Sequence, residues 1–215
     1  GTANADVLWG LAGNDTLNGG TNDDTLVGGA GDDTLNGGLG FDILNGGDGN
    51  DLFIYDATDV SLIGGLGNDT LDLSAAEITE LNAGAVITGI ETFSLTGGVA
   101  NTLVLSKDSF ERTSGGTIVG LDSVLASSIT VVGDDNDTLL LDGAWSKSST
   151  AVNGYLQYIL PNSVVGGVDH VILVDSRLQV VQQMSGSSLD DLLIGSSAGD
   201  LMFGLAGNDT LLSGA

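Results

Sequence analysis

A nine-residue period runs through the first third of this chain and constrains its fold more than any other feature. Aspartate recurs at this period from Asp6 to Asp51 and again at Asp69, and Val60 is the only break in the series. A large apolar residue lies two positions after each aspartate, and glycines occupy fixed positions between them. The unit is G-G-x-G-x-D-x-U-x, where U is apolar. Such a period predicts short stacked strands instead of an ordinary globular core.

The same register returns near the other end of the chain. Asp191, Asp200 and Asp209 follow the same nine-residue period, and Leu or Met lies two positions after each of them. Residues 203–211, FGLAGNDTL, nearly duplicate residues 9–17, WGLAGNDTL. A flexible glycine-rich linker is excluded because such a linker has no reason to keep an apolar residue at every ninth position.

The residue types of the unit favour calcium. The x-U-x part is a short strand whose apolar residue points inward, and the glycine-rich part is a tight turn that needs positive φ angles. Such turns expose backbone carbonyls and a carboxylate, which are the hard oxygen ligands that Ca²⁺ prefers. Two units make one coil, so turns that are two units apart stack and share an ion between two aspartates, as at Asp15 and Asp33. Asp59 is a candidate substitute at the break beside Val60.

The candidate metal ligands are the repeat aspartates, glycines of the same turns and an acidic loop in the middle of the chain. They are Asp6, Gly13, Asp15, Asp24, Gly31, Asp33, Gly40, Asp42, Gly49, Asp51, Gly67, Asp69, Asp134, Asp137, Asp191, Asp200, Gly207 and Asp209. The net charge of −25 follows the repeats, because 17 of the 29 acidic residues lie in segments without a single Lys or Arg. About seven bound Ca²⁺ would cancel roughly 14 of those charges.

These repeats resemble the RTX (repeat-in-toxin) family of secreted bacterial proteins, over residues 3–72 and about 188–215. The resemblance implies an all-β fold: a parallel β-roll of nonapeptide repeats, split by a mostly β insert domain with one or two short helices. It also implies type I secretion, with the chain unfolded at low cytosolic calcium and folding outside the cell or at the bacterial surface. The domains expected are residues 1–72, 73–187 and 188–215, the middle one being the insert. Because the chain begins at Gly1 without Met, we expect it to be a segment of a longer protein.

The insert has a strand-like pattern. Short β-rich runs lie at 128–132, 138–142, 155–160, 170–175 and 177–182. The most helical stretch is 73–84, which opens with a capping box of Ser74 and Glu77 and ends at Gly84. A second short helix is expected at 106–112.

All four cationic residues of the chain lie in the insert, which also resembles ligand-binding modules near the C-terminal end of large RTX adhesins. This resemblance implies a calcium-dependent grip on a peptide or protein terminus of a host or neighbouring cell; a glycan is the second choice. The candidate ligand-binding residues are Trp145, Tyr155, Tyr158, Arg112 and Arg177. Core packing for the aromatic residues and pairing with a nearby aspartate for the arginines are the alternatives.

Several classes of function are disfavoured. The charge repels nucleic acid and anionic membranes, and no apolar run reaches the ~20 residues of a membrane span, so neither nucleic-acid binding nor membrane insertion is expected. Residues 195–199 match the G-x-S-x-G elbow of hydrolases only in repeat register, and the single histidine, His170, precedes them. We therefore expect a non-catalytic, monomeric module. A structural extender and a non-catalytic module of a secreted enzyme remain as alternatives.

Overall fold

The computed structural model describes residues 1–75, 78–80, 86–97, 99–105, 118–120, 128–142, 145–160, 170–185, 192–194, 200–203 and 207–212. In these residues all regular structure is β, and no helix is present. Within the same residues there is accordingly no helical segment that could cross a membrane.

The first eight strands alternate between two faces of the molecule. They are β1 (Val7–Ala12), β2 (Thr16–Thr21), β3 (Thr25–Ala30), β4 (Thr34–Leu39), β5 (Ile43–Asp48), β6 (Leu52–Ile54), β7 (Ser61–Leu66) and β8 (Thr70–Asp72). Odd-numbered strands pair in parallel in one sheet, and even-numbered strands pair in parallel in the other. In both sheets each residue lies opposite the residue two units later, as Leu8 opposite Leu26 and Leu17 opposite Leu35 show. The predicted coil of two nonapeptides, and with it the parallel β-roll, is confirmed.

The roll continues beyond the nonapeptides. The remaining strands are β9 (Ile78–Glu80), β10 (Val86–Thr88), β11 (Thr92–Ser94), β12 (Thr102–Leu105), β13 (Ile118–Gly120), β14 (Ser128–Val132), β15 (Thr138–Asp142), β16 (Ser146–Lys147), β17 (Leu156–Leu160), β18 (His170–Val174), β19 (Gln179–Ser185), β20 (Leu192–Ile194), β21 (Asp200–Phe203) and β22 (Thr210–Leu212). The five strand-like runs of the insert predicted from sequence correspond to β14, β15, β17, β18 and β19.

A third sheet begins after the repeats. Strand β10 adds to the first sheet beside β7, and β11 adds to the second sheet beside β8. Strands β9, β12, β15, β19 and β21 form the third sheet, which is parallel throughout. Each coil therefore gains a third side where the nonapeptide pattern ends.

The helix predicted over 73–84 is wrong, because β9 lies inside this range and pairs in parallel with β12. The capping-box pattern of Ser74 and Glu77 is a local signal, and it loses to pairing with a strand of the next coil. The second predicted helix, at 106–112, lies outside the described residues.

Each of the three large sheets has at least one column of buried apolar side chains on its inner face. In the repeats it consists of the U residues, which are completely buried from Leu26 onward. The same column continues in the second sheet from Leu71 to Phe93 and Val131, although the nonapeptide has ended there. Complete burial of one such side chain stabilises the fold by about 1.5–3 kcal/mol. The apolar columns thus hold the glycine turns in register.

The C-terminal end departs from simple coiling. Strands β16 and β17 form an antiparallel addition to β18 at the edge of the second sheet. Strands β20 and β22 pair in parallel with Leu192 opposite Thr210, which is again a step of two units. His170 begins β18, as expected for a residue at a strand end.

Candidate metal centre

The repeat aspartates stack in two columns, one at each side of the roll. In each column the backbone amide of one aspartate donates to Oδ1 of the aspartate two units later. The observed steps are Asp6 to Asp24 (2.7 Å), Asp15 to Asp33 (2.8 Å), Asp24 to Asp42 (2.7 Å), Asp33 to Asp51 (2.8 Å) and Asp51 to Asp69 (2.8 Å). The structure thus brings together the pairs that the spacing predicts within the N-terminal repeats.

The second carboxylate oxygen of these residues has no hydrogen-bond donor. Asp15, Asp24, Asp33, Asp42, Asp51 and Asp69 each bury an Oδ2 atom that has no partner. From Asp24 onward these side chains are at most 1% exposed. A buried charged oxygen without a donor is costly unless a cation neutralises it. This row of buried Oδ2 atoms without hydrogen-bond donors is therefore the feature of the structure that is consistent with bound calcium.

The first glycine of the unit lets a carboxylate oxygen and a carbonyl oxygen approach the backbone closely. A Cβ built on Gly28 would overlap Oδ2 of Asp33 and would lie 2.6 Å from the carbonyl oxygen of Gly46. A Cβ on Gly19 would likewise meet Asp24 Oδ2 and the next coil's glycine carbonyl. We call the first glycine together with these two oxygen atoms a glycine cradle. A carboxylate and a carbonyl are both acceptors, so each cradle lacks a hydrogen-bond donor. Oxygen atoms in this arrangement suit Ca²⁺.

The third glycine of each unit has a conformational role. Gly13, Gly31, Gly40, Gly49 and Gly67 all have φ between +113° and +150°, a region that side-chain-bearing residues rarely adopt. Their amides join neighbouring coils where the contact is described, as in the bond from Gly31 to the carbonyl oxygen of Asp48 (2.8 Å). These glycines shape the turns.

At the break in the repeat, the carboxyl of Asp59 lies beside Asp42. Its side chain is 1% exposed, and its carboxyl interacts with that of Asp42. Neither Oδ1 of Asp59 nor Oδ2 of Asp42 receives a hydrogen bond from a donor group. Burial, and then the charge of Asp42, raise the pKa of Asp59 to about 7. Oδ2 of Asp59 accepts the amide of Asp56 (3.3 Å), so the candidate substitute beside Val60 places a carboxyl next to Asp42 without the amide-to-Oδ1 step of the column.

Burial also raises the pKa of other carboxyls in the columns. The pKa of Asp69 rises to about 6, mainly because it is desolvated and secondly because Asp51 and Glu91 carry like charges. The pKa values of Asp42 and Asp51 are raised for the same first reason. By contrast, hydrogen bonds from Thr2 lower the pKa of Asp6 at the exposed end of the roll. Without a cation, the inner carboxylates therefore oppose folding at neutral pH.

The acidic loop of the insert is arranged differently. Oδ1 of Asp137 accepts the amide of Asn101 (3.0 Å), and its Oδ2 accepts the amide of Asp134 (2.8 Å). Oδ1 of Asp134 accepts the amide of Asn136. Both oxygens of the buried Asp137 thus have donors from the protein itself. The geometry does not favour the calcium site predicted for Asp134 and Asp137.

Less is described of the C-terminal ligands. Gly207 has φ +133° like its N-terminal counterparts, and Asp209 is half-buried. Asp191 lies outside the described residues, and only the backbone of Asp200, at the start of β21, is described. In the described residues no cluster of three or more Asp, Glu or His side chains has an arrangement that holds a metal. A site in the roll therefore depends on backbone carbonyls beside one or two carboxylates.

The four candidate ligand-binding residues that the structure describes do not form one surface. Trp145 and Tyr158 are each 5% exposed and belong to the hydrophobic core, so their side chains pack inside the fold. Tyr155 is half-buried. Arg177 is exposed, and its guanidinium forms a two-bond fork with Asp175 (3.1 and 2.7 Å). Arg112 lies outside the described residues.

Sequence reasoning missed Glu91, which continues one column, and Asn101, which makes the same kind of amide bond to Asp137 beside the third sheet. The amide of Asp69 donates to Oε2 of Glu91 (2.8 Å), and the amide of Asn101 donates to Oδ1 of Asp137. Each precedes a Thr-apolar pair, Thr92-Phe93 or Thr102-Leu103, just as the repeat aspartate precedes Thr-Leu. This short triplet was the available signal, but without the glycines it is weak.

Comparison with known proteins agrees with this geometry. The family model of the RTX calcium-binding nonapeptide repeat matches four copies, at residues 1–35, 27–59, 56–75 and 185–215. A search of curated proteins found no match. Residues 1–75 and 185–215 therefore resemble the RTX calcium-binding nonapeptide repeat, over slightly less than half of the chain.

Proposed function

We propose that this chain is a calcium-dependent ligand-binding module of a secreted bacterial RTX adhesin. The observation that carries the calcium part is the row of buried Oδ2 atoms without donors, from Asp24 to Asp69. When bound, calcium supplies the positive charge that neutralises these carboxylates. The chain's own residues supply the remainder: apolar columns set the register, and glycine turns present oxygen atoms at both sides of the roll.

In this proposal the repeats are unfolded when calcium is scarce and fold after type I secretion, outside the cell or on its surface. The physical reason is that carboxylates stacked one coil apart repel each other without a cation, so that the binding energy of the metal becomes folding energy. The raised pKa values of Asp59 and Asp69 are in keeping with this repulsion. We expect several ions per chain, about seven on the count of turns.

The ligand-contacting part is proposed to lie in residues 73–187, between the repeat segments 1–72 and 188–215. All Lys and Arg residues of the chain lie there, and the antiparallel strands β16 and β17 interrupt the regular coiling. Lys147 on β16 is an exposed cation of this region, whereas the guanidinium of Arg177 is already paired with Asp175. An exposed cation favours an anionic group such as the carboxylate of a peptide or protein terminus, and a glycan is the alternative ligand. We propose no catalytic activity for the chain.

Binding is tested with the whole chain on peptide-terminus and glycan arrays, in calcium and in EDTA. We expect capture of peptides with a free terminal carboxylate in calcium only. The same peptides with amidated C-termini are the matched controls, and they should bind weakly. If only glycans are captured, the peptide ligand is wrong and the glycan alternative replaces it. If no calcium-dependent signal arises on either array, the chain is an extender and the ligand-binding part of the proposal fails.

A further inference from the structure

We infer that the calcium column on the β2 side continues past the nonapeptide repeats, and that Asp69, Glu91 and the carbonyl of Gly89 form a further calcium site. This inference rests on the proposed calcium function of the roll. It assigns a ligand role to Gly89 and Glu91, which lie beyond the segments that match the repeat family. The site would join the repeats to the first coil that follows them.

The backbone first shows that Glu91 occupies an aspartate position. Within the repeats, Asp51 donates its amide to Oδ1 of Asp69 (2.8 Å), and its carbonyl oxygen accepts the amide of Thr70 (2.8 Å). One coil later, Asp69 donates its amide to Oε2 of Glu91 (2.8 Å), and its carbonyl oxygen accepts the amide of Thr92 (2.9 Å). Both hydrogen bonds of the repeat step are thus reproduced with a glutamate.

The cradle beside Asp69 also keeps its components. A Cβ built on Gly46 would overlap Oδ2 of Asp51 and would lie 2.8 Å from the carbonyl oxygen of Gly64. A Cβ built on Gly64 would overlap both Oδ2 of Asp69 and the carbonyl oxygen of Gly89. Gly89 therefore takes the position of the next first glycine, and its carbonyl faces the same space.

An unpartnered atom points to a ligand in this space. Asp69 is fully buried, and its Oδ2 has no hydrogen-bond donor. Three acidic residues, Asp51, Asp69 and Glu91, succeed one another along this part of the column. A protein of this composition offers no cation nearby in sequence, because residues 1–75 contain no Lys or Arg. A divalent ion is the simplest neutralising group for such oxygen ligands.

The column ends at Glu91. Thr92 pairs with Thr130, so that the position above Glu91 belongs to Ile129, a buried apolar residue. The step from Asp69 to Glu91 is longer than the two-unit step of the repeats, because the intervening chain also forms β9 of the third sheet. A site here would make the first three-sided coil depend on calcium, although that coil contains no complete nonapeptide.

The test uses Glu91→Gln in the whole chain, with the exposed Trp9 replaced by Phe so that the buried Trp145 is the only tryptophan. Gln keeps an oxygen to accept the amide of Asp69 and removes the charge. We expect calorimetric titration to show one calcium ion fewer than in the Trp9→Phe parent. We also expect the calcium-induced change of Trp145 fluorescence to need a higher calcium concentration.

Two control variants separate the possible failures. Asp175→Asn changes the net charge equally at a surface ion pair and should leave the calcium count unchanged. Asp33→Asn lies inside the repeats and should lower the count whether or not the inference holds. If Asp33→Asn loses ions and Glu91→Gln loses none, the inference is overturned and the proposed calcium function stands. If neither variant nor the parent binds calcium, the proposed function itself fails.

A structural measurement covers the case in which Glu91→Gln does not fold. Crystals of the unaltered chain grown with terbium in place of calcium would give an anomalous difference map. We expect a peak that contacts both Oδ2 of Asp69 and the carbonyl oxygen of Gly89. Peaks beside Asp33 and Asp51, together with none beside Asp69, would overturn the inference.

Discussion

The buried aspartates of the repeats and Asp137 of the insert have the same backbone environment and opposite side-chain environments. Asp33 and Asp137 both accept the amide of the preceding coil through Oδ1. Oδ2 of Asp33 has no donor, whereas Oδ2 of Asp137 accepts the amide of Asp134. In the insert, a turn amide donates to the second carboxylate oxygen of Asp137. In the repeats, the glycine cradle offers no donor, so that a cation has to neutralise the second oxygen of Asp33.

Among the changes that test this comparison, removal of calcium should have the largest effect on the folded structure. Because the repeat carboxylates have no donors, EDTA should abolish most of the far-UV circular dichroism signal of the strands, and added calcium should restore it. Magnesium at the same concentration is the control, since it dehydrates reluctantly and prefers sites with several waters. A spectrum that is unchanged in EDTA would contradict calcium-coupled folding.

Asp33→Asn should have the next largest effect. Asp33 belongs to two steps of its column, because it bonds with both Asp15 and Asp51. An ion present at about 100 times its Kd stabilises the fold by about 2.7 kcal/mol, so weakening two sites costs up to about 5 kcal/mol. Calorimetric counting and thermal melting in calcium measure this effect. Asp6→Asn, at the end of the other column, is the control and should cost less.

Gly28→Ala, compared with Gly13→Ala, should distinguish a steric effect of the added methyl group from an effect of an unfavourable backbone conformation. A Cβ on Gly28 would overlap Oδ2 of Asp33, so we expect the loss of an ion together with a loss of stability. Gly13→Ala is the control, because no atom lies within 4 Å of its Cβ and only its φ of +113° is unfavourable. That strain costs about 1–3 kcal/mol and should leave the calcium count intact. Equal calcium counts for both variants would argue against the cradle.

Asp137→Asn should destabilise the protein without any loss of calcium. The amide group of Asn can accept only one of the two backbone hydrogen bonds, and an unsatisfied buried amide costs about 1–3 kcal/mol. Denaturant unfolding in saturating calcium measures this change, and calorimetry counts the ions. A reduced count would show that the acidic loop is a calcium site, as its sequence predicts.

The surface pair of Arg177 and Asp175 should give the smallest effect. Hydrogen bonds from Arg177 lower the pKa of Asp175 below its usual 3.8. The contribution of this pair is therefore complete well above pH 3.8 and is lost as the pH falls through the lowered pKa. Melting temperatures of the parent and Arg177→Gln should differ slightly at pH 7 and converge at low pH. A difference that grows as the pH falls would contradict the ion pair.

Much of the roll could be predicted because its period is local. Each U residue and each aspartate recurs with the nonapeptide unit, so Leu26 over Leu8 and Asp33 over Asp15 follow from counting. Strands β14 and β15 could be predicted from their apolar β-branched and leucine runs. The helix proposed at Ser74 failed because a local capping signal does not include the edge of a neighbouring strand.

The sequence by itself determined the two-unit coil, the two columns of aspartates and the calcium chemistry, because each depends on residues at a fixed spacing. Only the tertiary structure decided which oxygens are free and where the columns end. The step from Asp69 to Glu91 spans 22 residues, and the step from Asn101 to Asp137 spans 36, so counting by the two-unit step of the repeats pairs neither set. Strand pairing brings them together, in the second sheet for Asp69 and Glu91 and in the third sheet for Asn101 and Asp137, and one turn amide decides whether a buried carboxylate needs a metal.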